Sequence, residues 1–219
     1  MATFFSFFSR ALMLLLVLPL TNSAKGLVAR WLGDDTADRE GRITLNPMAH
    51  LDLLGSLAIL LCGFGWSKPM PINVNRMRNY RQGVILISLT GPVVHFLSAI
   101  VCYNIAAVLS YIVSGTAGGA LFLLFYMLAG INVCLGTINI LPIPPMDGFN
   151  VLHQFTGEKF NRWFYSNYRM IMQASQIILL ALFFMGRLTM GLLDPLGWII
   201  NAISSILQLT SAWVPYVFG

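Results

Sequence analysis

An apolar run that begins near Gly119 ends in the stretch Asn139-Ile-Leu-Pro-Ile-Pro-Pro-Met-Asp147-Gly148, which restricts the fold more than any other. The run is membrane-length. An acidic residue at its end is costly to desolvate unless it has a partner, so Asp147 is a candidate functional residue. Pro142, Pro144 and Pro145 each remove a backbone donor and crowd the preceding turn, so no regular helix passes through them. The expected geometry is an extended or broken segment just before Asp147. Non-helical backbone at membrane depth persists only where it is buried in protein or lines a wet cavity. A carboxylate on a proline-stiffened loop, followed by the permissive Gly148, suits the holding of a cation. The plainer alternative is a helix-ending loop whose Asp147 sits among lipid headgroups.

Composition fixes the class. Only 10% of the 219 residues are charged and 57% are hydrophobic, whereas soluble domains carry roughly 25% charged residues. The fold class expected is an all-α polytopic membrane protein, with residues 1–219 forming a single membrane domain. At ~20 residues per crossing plus loops, the length fits five or six membrane segments. The net charge of +5 does not point to nucleic acid, because the basic residues cluster in short loops between apolar runs, as membrane topology signals do. The expected partner is the lipid bilayer. Cys62, Cys102 and Cys134 all lie in apolar runs with no CxxC spacing, so they read as small hydrophobes and not as a disulfide framework.

Along the chain, Met1 to Leu20 is rich in Phe and Leu, interrupted once at Arg10. A signal peptide is one reading, but the first nine residues carry no basic side chain and the apolar pattern continues to Leu32. An uncleaved first helix running to about Leu32 is the favoured reading. Thr21, Asn22, Ser23 and Lys25 make an unusual polar cluster in its second half. Thr21 and Lys25 are four apart and share one face. Lys25 requires an interface to snorkel to or an acidic partner. Gly55 to Trp66 is apolar but too short to span, and reads as re-entrant or tilted. Ser67 to Gln82 holds Lys68, Arg76, Arg78 and Arg81 with no acidic residue, which places the Lys68–Arg81 loop in the cytosol. Val84 to Val113 is the next long apolar run, opened by Thr90-Gly91-Pro92 and containing His95. Gly115 to Gly119 reads as a turn, Ala120 to Ile140 as a crossing, and Gly148 to Arg169 as a mixed, mostly basic loop. Met170 to Met185 and Trp198 to Val217 are the last apolar segments. This order brings Lys25 and Asp147 toward the cytosolic ends of two different helices, where they can meet.

The stretch Asn139 to Gly148 resembles the site-2 protease family of intramembrane zinc metalloproteases (peptidase M50). Further motifs agree in order and spacing with its compact bacterial branch: Leu32-Gly33-Asp34 with Thr36-Ala37, Gly41 to Pro47 with His50 and Asp52, Gly65-Trp66 with Lys68 to Asn73, and Gly91-Pro92. The resemblance covers about Met13 to Leu152, a protease-like core followed by C-terminal membrane helices over 169–219. It implies a helical membrane bundle in a bacterial cell membrane, with Asp147 as the third zinc ligand. It also implies HExxH on the first helix, where two His bind zinc from one face and the Glu activates water. No HExxH occurs in this chain. In register, Thr21 and Lys25 stand at the His positions and Asn22 at the Glu position. Asn22 cannot act as a carboxylate base, and an ammonium at Lys25 has no lone pair for a metal. His95 stands where the family pattern has Asn.

Without zinc, Asp147 is a buried anion, and a Lys25–Asp147 ion pair is the expected replacement for the metal. The function expected is a catalytically inactive pseudoprotease that binds or regulates transmembrane segments. Asn139, Pro142 and Pro144 are the candidate remnants of the substrate groove, and a transmembrane peptide or membrane-protein partner is the expected ligand. No cofactor is expected on this reading. Two alternatives stay open. One is an active zinc protease with atypical ligands, drawing on Asp147 and on donors such as His50, His95 or His153. The other is a structural subunit whose partner helix packs on the old cleft.

Overall fold

The computed structural model describes residues 2–62 and 65–218, and all regular secondary structure among them is helical. Helix α1 (Ala2–Leu12) continues through a π-helical turn, Met13–Val17, into α2 (Leu18–Trp31). Two short helices follow, α3 (Thr36–Arg39) and α4 (Leu53–Cys62). Then come α5 (Tyr80–Ile112) and α6 (Gly115–Ile140), a long antiparallel pair. The chain ends with α7 (Asp147–His153), α8 (Glu158–Ser166), α9 (Tyr168–Leu188), α10 (Pro195–Gln208) and α11 (Val214–Phe218). Among the described residues four helical stretches are long and apolar enough to cross a membrane: Phe4–Trp31, Tyr80–Ile112, Gly115–Ile140 and Tyr168–Gly186. The protein is an integral membrane protein.

The other two apolar segments anticipated from the sequence are also helical, but in shorter pieces. α4 has ten residues, about 15 Å of helix against a hydrocarbon core about 30 Å thick, so it does not cross. Gly63 and Phe64, in the segment read as re-entrant or tilted, lie outside the described residues. The C-terminal segment is divided among α10, a 3-10 turn at Leu209–Ser211, and α11.

Close approach of backbones holds the centre together. Lipid tails are as apolar as side chains, so helices associate in a membrane through packing and small residues at their contacts. Ala99 of α5 and Ala129 of α6 are completely buried. At Gly136 of α6 an added Cβ would stand 2.7 Å from the Phe96 ring of α5. Met13, Leu14, Val17 and Leu18 of the first helix pack on this pair, together with Ile59 of α4. Cys102 is buried in the same cluster and Cys134 is partly buried, as expected for small hydrophobes; the side chain of Cys62 lies outside the described residues. Arg10, a charge inside an apolar helix, donates to the carbonyls of Leu60 and Leu61 at 3.0 and 3.2 Å. The guanidinium thereby caps the negative end of α4 and ties it to α1.

Two regions fold differently from the sequence expectation. Gly115 to Gly119 is not a turn. Only Val113 and Ser114 separate the two helices, and α6 begins at once on Gly115, at φ +76°. The segment after Asp147 is not an open loop either: it forms α7 and α8, whose facing aromatic rings Phe149 and Phe164 lie 5.1 Å apart. The loops near the site are pinned by buried polar groups. Asp34, fully buried, accepts from the Thr36 and Asn73 amides at 3.1 and 2.6 Å. His50, also fully buried, donates from Nε2 to the Thr44 carbonyl at 2.7 Å, while its own carbonyl accepts from the Lys68 amide at 2.8 Å. These bonds fix the path of residues 65–73, which have no regular secondary structure.

Candidate functional site

The site forms where α2, the proline break after α6, α5 and the irregular 65–73 segment converge. The proline break behaves as its residues require. Helix α6 stops at Ile140, residues 141–146 are non-helical, the Pro144–Pro145 peptide is cis, and α7 starts on Asp147. A Cβ at Gly148 would collide with the Ile140 carbonyl, so only glycine lets the chain fold back so tightly against the end of α6. That return directs Asp147 at α2.

There it meets Lys25. The Lys25 ammonium donates to Asp147 Oδ2 at 2.5 Å, and the two side chains are only 19% and 17% exposed. Burial pushes the Asp147 carboxyl above its ordinary value while the Lys25 charge pulls the other way. Space for the pair comes from α5. A Cβ at Gly91 would stand 2.7 Å from Lys25 Cε and 3.0 Å from both Lys25 Nζ and Asp147 Oδ2. Sequence reasoning used Gly91 only as part of a motif. Its signal, a glycine directly before a proline inside a spanning helix, indicates close approach but not what approaches. Ser67 was also missed: its hydroxyl accepts from the Asn22 amide at 3.2 Å. Asn132, which bonds His95, was the third omission.

The remaining sequence-predicted residues are distributed around two cavities. The first, of about 580 Å³, opens between the loops and is lined by Lys25, Asp147, Pro144, His153, Tyr80 and Tyr165 among others. The second, of about 660 Å³, is walled by apolar side chains such as Leu18, Ile59, Leu135 and Leu179, with Thr21, His95 and Asn139 on its surface. Asn22, Lys25, Ser67 and Pro145 line both, so the ion pair stands at the partition. Pro144 is buried, whereas Pro142 is exposed and lines neither cavity.

The donor set does not fit a zinc ion. Zinc sites use thiolate, imidazole and carboxylate donors in threes or fours. Here the Thr21 hydroxyl donates to the Val17 carbonyl at 2.8 Å, the Asn22 amide donates to Ser67, and Lys25 presents an ammonium. Asp147 is the one ordinary ligand among the four. Among the described residues the three histidines are not grouped with one another into a donor set. His50 is bonded to Thr44, His95 Nδ1 lies 3.0 Å from Asn132 Oδ1, and His153 is ringed by Phe149, Phe160, Phe164 and Tyr165. Among the described residues no group of three or more His, Cys, Asp or Glu is placed to share an ion.

Comparison with known proteins points one way. The description of Peptidase family M50 matches residues 110–183, which include the proline break and Asp147. A Bacillus subtilis (strain 168) protein named "Putative zinc metalloprotease YwhC" is 36% identical over 132 residues, 59% of this chain. The chain spans 60% of the length of that relative. No solved structure matches it.

Proposed function

We infer that this chain, which belongs to the site-2 protease family, peptidase family M50, is a pseudoprotease that holds transmembrane segments without hydrolysing them. One observation carries the reading: the Lys25 ammonium sits on Asp147 at 2.5 Å, the carboxylate that the family resemblance makes a zinc ligand. A metal at Asp147 would have to approach that fixed cation. Hydrolysis also needs a base for water, and the amide at Asn22 cannot accept a proton at neutral pH. The scaffold around the pair is kept, including the proline break and the irregular 65–73 segment, and non-helical backbone beside a cavity suits pairing with an extended peptide.

In this reading the basic loop Lys68–Arg81 faces the cytosol of a bacterial cell, following the excess of Lys and Arg there. The ligand is a membrane-spanning segment of another protein, unwound where it passes the cavities.

The test is co-expression of the chain with tagged single-span proteins, followed by purification in detergent. The account expects intact spans that co-purify at unchanged length, with or without a zinc chelator. Cleavage that a chelator stops would assign the chain to the active metalloproteases instead.

A further inference from the structure

His95 is buried to within 5% of full enclosure on α5 and lines the apolar cavity of about 660 Å³. Its hydrogen bonds determine its tautomer. Asn132 spends its amide Nδ2 on the Leu128 carbonyl at 2.9 Å, so the atom that faces His95 is the acceptor Oδ1. His95 Nδ1 therefore carries the proton and donates it across 3.0 Å. The other ring nitrogen, Nε2, is left with a lone pair. Among the described residues it has no hydrogen-bond partner, and the ring that carries it lines the second cavity.

Lys25 contributes the opposite character to the same cavity. An ammonium has three donors, and its one hydrogen bond to a described residue goes to Asp147. The remaining lining is mostly apolar, Leu18, Ile59, Leu135 and Ile138 included, with Asn139 and Gln176 as polar side chains among them. An acceptor and a donor on one mostly apolar cavity of about 660 Å³ match a group that carries both in return. The backbone amide is such a group: its N–H suits His95 Nε2 and its carbonyl suits the Lys25 ammonium. An unwound segment at membrane depth has no water to satisfy its amides, so it must find partners inside the protein.

We propose that His95 Nε2 and Lys25 Nζ together hold one backbone amide of a bound, unwound transmembrane segment. The proposal rests on the segment-binding reading above and adds the polar contacts that anchor the ligand. His95 then stands in for recognition where an apolar residue would leave the peptide N–H unsatisfied, and Asn132 is the positioning residue that keeps the lone pair directed into the cavity.

The probe is a synthetic 22-residue polyleucine peptide broken at its centre by Asn-Pro, measured for binding to the full chain in lipid nanodiscs. Four analogues replace, one at a time, the amides after the break with esters, which removes the N–H and keeps the carbonyl. One ester is expected to weaken binding to the native chain by roughly 5- to 30-fold, the range of an unmet buried hydrogen bond. The same ester should change nothing in His95→Leu, and His95→Gln, which restores an acceptor, should recover part of the discrimination. Binding of the parent peptide with no ester effect overturns the His95 contact and leaves segment binding standing. No binding of the parent peptide to the native chain overturns both.

Discussion

Helices α6 and α9 are both long enough to cross the membrane, yet they meet the rest of the molecule differently. In the apolar window of Gly115–Ile140, 44% of residues are buried inside the protein; in that of Tyr168–Gly186, 6% are. α6 is clamped between the first helix and α5 through Leu128, Ala129 and Val133. α9 reaches the cavities with a single stripe, Met172, Gln176, Leu179 and Leu180, spaced as one helical face. The charged pair is held among α2, α5 and α7, while α9, which also lines the cavities, is a helix with little of its surface buried. A site built this way holds its chemistry rigid and leaves one side to be exchanged for another apolar surface. That division is what the proposed binding of membrane segments calls for.

The sharpest way to break this comparison is to unbalance the packed wall. Lys25→Met leaves Asp147 buried with no counter-charge, and the loss of stability should be about 3–5 kcal/mol. Lys25→Met combined with Asp147→Leu should recover most of it, because two apolar side chains need no compensation. Thermal unfolding in detergent measures both, and equal losses in the single and double variants would reject the pair. Next in size is the contrast between the walls themselves. Leu128→Ala, in the packed cluster, should cost about 2–3 kcal/mol through lost contacts. Leu180→Ala, 49% exposed on α9, should cost less than ~1 kcal/mol, since lipid replaces what it loses. Similar losses at both positions would remove the distinction.

Smaller effects sharpen the picture of the site. Gly91→Ala places a methyl group against Lys25 and Asp147 and should cost about 1–2 kcal/mol by prising the pair apart. The loss should vanish in the background of the paired apolar substitutions, where shorter or softer contacts face it. Last is a pH effect confined to the loops. Burial holds His50 below its ordinary value, so the folded loop binds a proton less readily than the unfolded one. Its stability is therefore complete above a pH of about 6.5 and declines as pH falls below it. Nδ1 of His50, buried and without a partner among the described residues, gives the added proton none of them to donate to. Amide exchange at Lys68, whose N–H bonds the His50 carbonyl, should accelerate on acidification, and His50→Gln should flatten that response.

Much of this was legible beforehand because membrane depth makes single residues expensive. Three prolines before Asp147 dictated a break, and the break is there. Lys25 within an apolar helix demanded a partner, and the carboxylate nearest to it is Asp147. What stayed hidden had weak or ambiguous signals. Glu158 to Ser166 reads as a charged loop by composition, yet its aromatic residues recur at helical spacing and dock on Phe149 and His153. The partnership of His95 with Asn132 joins positions 37 apart on two helices, and no local pattern pairs them. Gly91 stands before a proline, which signals close approach, but nothing in its neighbours tells that Lys25 and Asp147 lie opposite it. Pro142 belongs to the break but faces away from both cavities, since consecutive residues of an irregular segment point in different directions.

Metal content per chain tests the central claim most directly. The native chain and Asp147→Ala are purified in detergent without chelator, and zinc is counted by mass spectrometry. A lysine seated on Asp147 predicts far less than one zinc per chain and no change in the variant. Close to one zinc per native chain, lost in Asp147→Ala, would show that a metal occupies the position assigned to the Lys25 ammonium.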